Sequence, residues 1–216
     1  MNNIQNCLGL YLDAPMQSWG YQSRFDRRTS FSFPTKSGII GMICAAMGVD
    51  RSSPNILQDL SILKMTMLMF QNNGRLTDFH TVGGGWDKKS NAGHIVKTAQ
   101  DRVGSTVITR REYLQQSRYG VLIMGESLFL KKIADALYDP KWGIWLGRKS
   151  CIPATPVCQG IFSDEKAAIN HLEKIAGNQV LRTMEEADCF EEGSDTLNDI
   201  PVHFGKRSYS PRRVRI

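Results

Sequence analysis

Phe33-Pro34-Thr35-Lys36-Ser37-Gly38-Ile39-Ile40-Gly41-Met42-Ile43-Cys44-Ala45-Ala46-Met47-Gly48-Val49 is the stretch on which the fold turns. Pro34-Thr35-Lys36-Ser37 reads as a helix entry with Thr35 or Ser37 as N-cap, because a hydroxyl there accepts from a backbone N–H that has no partner inside the helix. Ile39, Ile40, Met42, Ile43, Ala46 and Met47 form the buried side, and Gly48 fits the C-terminal stop. The apolar run over residues 38–49 is about half of the ~20 residues a membrane-spanning helix needs. It therefore reads as a core helix.

Upstream, residues 7–12 (CLGLYL) suit a buried strand ended by Asp13-Ala14-Pro15, and residues 17–34 have no helical period and read as a long loop. Downstream, residues 56–60 fit a short helix. Residues 62–70 (ILKMTMLMF) fit a strand turning at Asn72-Asn73-Gly74, although their Met and Leu content also suits a helix. Residues 113–125 form another strand, and 127–138 an amphipathic helix with Leu128, Ile133, Ala134 and Leu137 inward, ended by Pro140. This order predicts an α+β chain with a ferredoxin-like or RNA-recognition (RRM-like) layer, its helices on one sheet face and the other face exposed.

The hydrophobic share of 41% and charged share of 22% exclude wholesale disorder and fibrous repeats. No basic residue precedes the first apolar run, so a secretion signal is not expected and the chain is placed in the cytoplasm. The five cysteines, Cys7, Cys44, Cys151, Cys158 and Cys189, have no Cys-x-x-Cys pair, and they read as buried hydrophobes rather than zinc ligands. No metal or other cofactor is expected.

The net charge is only +6, but the charges are segregated. Residues 87–111 hold six cations against two acids, and 205–215 hold five cations and no acid, whereas 164–199 hold ten acids against three cations. Such separation suits a face for a polyanion, or merely solvated surfaces. Residues 81–109, with Gly83-Gly84-Gly85, Trp86 and few apolar positions, are too long for an ordinary connection and read as a basic hairpin arm or as disorder.

Three segments carry candidate chemistry. At Pro34-Thr35-Lys36-Ser37-Gly38, backbone N–H groups at a helix start and Lys36 suit a phosphate, or the segment is simply a cap. Trp145-Leu146-Gly147-Arg148-Lys149-Ser150 places a guanidinium, an ammonium and a hydroxyl after a glycine. In Gln17-Ser18-Trp19-Gly20 through Arg28, Trp19 and Phe25 suit base stacking between arginines, though either aromatic taken alone reads more readily as a core residue. For catalysis, His80 beside the arm is the candidate base, but nothing in the spacing brings a second histidine to it, which favours binding over cleavage.

Read together, Leu10-Tyr11-Leu12-Asp13-Ala14-Pro15-Met16-Gln17-Ser18-Trp19-Gly20, Phe33 to Gly41, Asp78-Phe79-His80-Thr81-Val82, Arg111-Glu112-Tyr113-Leu114 and Trp145-Leu146-Gly147-Arg148 resemble the CasD family. These are RAMP-superfamily subunits of Cascade, the type I-E CRISPR surveillance complex. The motifs span roughly residues 8–155, with a weaker echo at 201–214. The resemblance implies an RRM-like domain over residues 1–140 that includes a long β-hairpin thumb at 81–109, and a smaller β-rich part over 141–216. It implies a non-catalytic subunit that binds the 5′ handle of the crRNA, caps the backbone filament and helps anchor the large subunit. The expected partners are that crRNA and the backbone, large and other Cascade subunits, with target DNA met only through the assembled complex and no membrane. A related type I-C subunit cuts repeat RNA itself, which keeps a metal-independent endoribonuclease as the alternative.

On this reading Arg27, Arg28, Lys36, Arg110, Arg111, Arg148 and Lys149 hold phosphates, and Gln17, Trp19 and His80 meet sugar or base. Ser37, Lys97, Arg102 and Ser150 complete the RNA-binding set. Tyr113-Leu114-Gln115-Gln116-Ser117 departs from the family's Tyr-Leu-x-Asp-Ala by lacking the carboxylate.

Overall fold

The computed structural model describes residues 5–21, 23, 26–51, 53–82 and 107–216. In chain order these form β1 (Gln5–Gln17), β2 (Trp19–Gly20), β3 (Arg27–Arg28), β4 (Ser30–Phe31), α1 (Lys36–Met47), α2 (Pro54–Ser61), β5 (Lys64–Gln71) and β6 (Arg75–Val82). There follow β7 (Val107–Glu126), α3 (Ser127–Tyr138), β8 (Cys158–Phe162), α4 (Glu165–Ala176), β9 (Arg182–Glu186), β10 (Asp195–His203) and β11 (Ser208–Arg215). The main sheet runs β10-β11-β9-β5-β7-β1-β8, with β3 and β6 also on β7. Its centre is antiparallel throughout: β1 pairs with β7 and β8, and β5 with β7.

Strand alternation sorts the core into two layers. Leu8, Leu10 and Leu12 of β1, with Met65, Met67 and Met69 of β5, meet α1, α2 and α3 on one face. Cys7 and Tyr11, with Leu68 and Phe70, meet Ala168, Leu172 and Ala176 of α4 on the other. The expectation of one uncovered sheet face is therefore corrected. Ala168, Leu172 and Ala176 recur at helical spacing, Asp164 caps the helix by accepting from the Ala167 N–H at 2.8 Å, and Gly177 ends it in the left-handed region.

Helix α1 is built as its sequence dictates: Thr35 Oγ1 accepts from Gly38 N, and Gly48 closes the helix at φ +67°. In α3 the inward residues are Leu130, Ile133, Ala134 and Leu137, whereas Leu128, against expectation, faces solvent, because the helical turn puts it on the face opposite Leu130 and Leu137. Ile62, the expected first strand residue, instead caps α2 and is exposed. Four cysteines are buried, and burial pushes the Cys7 thiol up to about 12 and the Cys44 thiol to about 11; Cys189 lies on the surface, against expectation. Among the described residues, no three His, Cys, Asp or Glu are placed to hold a metal ion, and no helix is long and apolar enough to cross a membrane.

Strand β7 pairs with β6 along its N-terminal half, from Val82 opposite Val107 to Arg75 opposite Leu114, and with β1 and β5 along the rest. Between the halves Gln116 sits at φ +43°, a left-handed backbone that most side chains resist. The expected arm at 81–109 enters and leaves through this β6–β7 pair, and its residues 83–106 lie outside the described residues.

Candidate nucleic-acid interface

The N-terminal half of β7 carries Arg110 and Arg111, and β3 lies parallel to it with Arg27 opposite Arg110 and Arg28 opposite Arg111. Like charges directly across adjacent strands repel, at a cost of roughly 0.2–1 kcal/mol per pair. Local partners offset part of that. Asp26 takes a hydrogen bond from Arg110 Nη1 at 3.2 Å, and its carbonyl accepts from Arg110 N at 2.7 Å. The Arg110 guanidinium also lies 5.7 Å over the Phe79 ring, the residue opposite it on β6. Arg111 Nε donates to Thr109 Oγ1 at 3.0 Å, while Arg27 and Arg28 are exposed.

A fifth arginine reaches the cluster from far along the chain. Gly147 has φ +99°, and a Cβ there would overlap the Ser18 carbonyl, so only glycine lets this turn close against β1. The next residue, Arg148, donates from Nη1 to Glu112 O and from Nη2 to Arg28 O, both at 2.8 Å, with its guanidinium 4.6 Å from the Tyr113 ring centre. Arg148 thus ties β3 to β7 and still has guanidinium N–H donors to offer.

Beside it opens a cavity of about 350 Å³ lined by Ser18, Ser37, Arg28, Arg148, Phe204 and Tyr209 among others. It shares Ser37, Gly38, Gly147, Phe204 and Tyr209 with a second cavity of about 540 Å³ that holds Lys149. Among the described residues no carboxylate lines either one. A trough of one charge sign with hydroxyls and aromatic walls fits a single-stranded polyanion.

Residues 7–215 match the family described as CRISPR-associated protein (Cas_Cas5). The chain belongs to that family. It is 28% identical over 192 residues to the "CRISPR system Cascade subunit CasD" of Escherichia coli (strain K12), covering 81% of this chain and 80% of the relative. A solved structure titled "CRISPR RNA-guided surveillance complex" contains a chain that superposes with a TM-score of 0.78 at 30% identity, covering 97% of this chain and 88% of that one. Another, "Crystal structure of Cas protein", gives 0.68 at 28% identity, with 97% and 92% covered.

In this Cas5-family chain several expected contact residues are built into the core instead. Gln17 is fully buried; its Nε2 donates to Leu12 O and Ser117 O, and its Oε1 accepts from Trp19 Nε1 at 3.1 Å. Trp19 is 1% exposed and packs on Gly38, so it offers no free ring face to a base. Lys36, also 1% exposed, donates from Nζ to Leu63 O at 2.8 Å and pairs with Glu186 at 3.0 Å. Burial pulls its ammonium below the usual lysine value, with Glu186 opposing. The expected phosphate seat at the α1 start is filled from within: the Asp199 carboxylate accepts from Lys36 N at 2.7 Å.

That carboxylate belongs to a closed set that the sequence reading missed. Arg212 grips Asp199 at 2.6 and 3.0 Å and Glu186 at 3.1 Å, so two cations answer two anions. Lys36 and Glu186 stand 150 positions apart, and no local spacing announces them. Much of the basic tail is similarly spoken for: Arg213 binds Phe190 O, Gly193 O and Thr196 Oγ1, and Arg215 pairs with Glu185 at 2.7 Å.

The remaining expected residues separate as follows. Ser37 lines the trough, its Oγ donating to Thr35 Oγ1 at 3.4 Å. Lys149 lies 5.6 Å over Trp145, and Ser150 is exposed in the same turn. His80 faces Thr109 on the β6–β7 pair, with Nδ1 3.7 Å from Asp78 Oδ2. Lys97 and Arg102, like Arg24, Phe25 and Trp86, lie outside the described residues.

Proposed function

We propose that this chain is the subunit of a Cascade-type CRISPR surveillance complex that holds single-stranded guide RNA, at its repeat-derived 5′ handle, by the sugar–phosphate backbone. The observation that carries the reading is the in-register pairing of Arg28 with Arg111 on one sheet face, joined by Arg148, with Arg28 and Arg148 lining a trough without carboxylates among the described residues; the neighbouring pair, Arg27 and Arg110, lies on the other face. Arginines paired across adjacent strands are worth their mutual repulsion if a polyanion lies against them. The hydrogen bonds from Arg148 to backbone carbonyls fix its plane for bidentate contact with phosphate. The resemblance to a Cascade subunit and to a chain of an RNA-guided complex supports guide RNA as that polyanion.

On the same reading the order β1, α1, β5, β7, α3, β8, with β5-β7-β1-β8 as antiparallel neighbours, is a ferredoxin-like unit. The β6–β7 pair is the stem of the thumb. The chain caps the backbone filament, helps anchor the large subunit and reaches target DNA only within the assembled complex. It binds RNA without cutting it.

Two measurements test this. The isolated chain is titrated with a labelled oligoribonucleotide of the cognate repeat handle at several salt concentrations. Arg28→Ala combined with Arg111→Ala is expected to weaken binding and flatten the salt dependence by about 0.7 in slope per charge removed. An unchanged slope defeats the assignment. Incubation of the chain with cognate repeat RNA and a chelator is expected to leave the RNA whole; a discrete cut would instead establish the endoribonuclease alternative.

A further inference from the structure

The second cavity, about 540 Å³, is lined in part by Ser37 and Gly38 and by Trp145, Gly147 and Lys149 of the two segments singled out in the sequence. Its floor is the small-residue side of α1, Gly38, Gly41 and Ala45. Its walls are aromatic: Trp142, Trp145 and Phe204, with Tyr209 at the shared mouth. Arg51, Lys149 and Arg207 add three cations to its lining.

Three observations suggest that something belongs there. Trp142 is 45% exposed although its backbone is tied down, its N–H donating to Ala45 O at 3.2 Å, so a large ring is held in place with an open side. The β10–β11 turn, closed by the Arg207 N–H donating to Phe204 O at 3.2 Å with Arg207 in the left-handed region, brings both residues to the cavity lining. Third, the cavity is continuous with the trough that holds Arg28 and Arg148 through five shared lining residues.

We infer that this cavity is a base-stacking subsite for single-stranded RNA: one nucleotide leaving the Arg28–Arg148 trough turns its base against Trp142, with its phosphates facing Arg51 and Arg207. The inference rests on the reading of the trough as the guide-RNA groove. The chemistry is sequence-tolerant, since every base has a π face.

The test uses the full chain and handle oligoribonucleotides that each carry 2-aminopurine at one position. One position is expected to be quenched on binding, and Trp142→Ala is expected to remove that quenching and weaken binding roughly tenfold, as loss of one base–aromatic stack does. Trp142→Phe retains a ring and is expected to keep most of both signals. Arg51→Ala with Arg207→Ala is expected to reduce the salt slope by about 0.7 per charge. If Trp142→Ala and Arg51→Ala/Arg207→Ala, folded by circular dichroism, bind and quench as the parent while Arg28→Ala/Arg148→Ala loses affinity, the subsite is refuted and the trough stands. If none of these changes affects binding, the trough reading fails first. If Trp142→Ala spares RNA binding yet blocks assembly with the other complex subunits, the cavity seats a protein segment and the proposal is overturned.

Discussion

Two charged regions of this molecule use the same residue types to opposite ends. Around Lys36, two cations meet two carboxylates, all four largely buried, and each ammonium or guanidinium has its partners inside the chain. Around Arg28, Arg148 shares the edge of an open trough and Arg111 lies opposite on β7, and none of these three forms an ion pair among the described residues; the nearby pairs are Arg110 with Asp26 and Arg75 with Glu112. The balanced set joins α1 to the last strands, β9 to β11; the unbalanced set has charge left over for a partner. A cation's place in a motif therefore says less about its role than whether the fold supplies its counter-charge.

The sharpest way to break this contrast is to remove one member of the balanced set. Asp199→Ala leaves Arg212 and the Lys36 N–H without their carboxylate in the core, and is expected to cost about 3–5 kcal/mol in urea unfolding, as breaking a buried pair from one side does. Arg28→Ala is expected to leave stability within about 0.5 kcal/mol of the parent. Equal effects would erase the distinction.

The second comparison is in RNA affinity. Arg28→Ala with Arg148→Ala is expected to lower handle binding tenfold or more, whereas Lys36→Met, an apolar stand-in for a cation that never reaches the trough, is expected to leave the salt slope unchanged in the same titration. A flattened slope for Lys36→Met would return that residue to the interface.

A third, smaller effect sharpens the balanced side. Because burial lowers the Lys36 ammonium, the unfolded chain binds more protons than the folded one between that lowered value and the ordinary 10.5, so this group makes stability rise with pH through that window. Unfolding midpoints measured across alkaline pH should show that component in the parent and lack it in Lys36→Met.

The smallest effect concerns a carboxylate answered by backbone. Hydrogen bonds from Ala167 N and Ser163 Oγ hold the Asp164 carboxyl below its usual value of 3.8. Its contribution is present above that value and lost as pH falls through the lower, folded-state one. Asp164→Asn keeps a capping acceptor but not the charge, and is expected to lower stability slightly near neutral pH and to soften acid unfolding followed by circular dichroism. An unchanged acid limb would show that Asp164 takes no part in it.

Much of the architecture was legible because its determinants are local. Thr35 and Gly48 mark the ends of α1, and the Met- and Leu-rich run became β5 from Lys64 onward. The helix α4 carried the same kind of signal, in Asp164, Ala168, Leu172, Ala176 and Gly177, but lay in an acidic segment that composition made look like surface. The arginines of β3 and β7 were legible as cations, yet their register was not, since Arg27 and Arg110 meet only after folding. Lys36, Gln17 and Trp19 misled for a physical reason. Each is a polar or aromatic group in a motif near the interface, and each satisfies its hydrogen bonds inward, against Glu186, Ser117 and Gln17 respectively. The departure at Gln116 is informative too. The position takes a left-handed backbone, which Asp adopts more readily than Gln, so the family's carboxylate there has a conformational reason.

Strand β7 runs twenty residues from Val107 to Glu126, roughly 65 Å at the rise of extended chain. One strand is thus both the inner beam of the sheet and the partner of β3 and β6, so a load on that outer part travels into the core without crossing a loop. Its one joint is Gln116. A left-handed backbone at that single residue separates the half that carries the arginines from the half that the core holds, so a change of residue there reaches both.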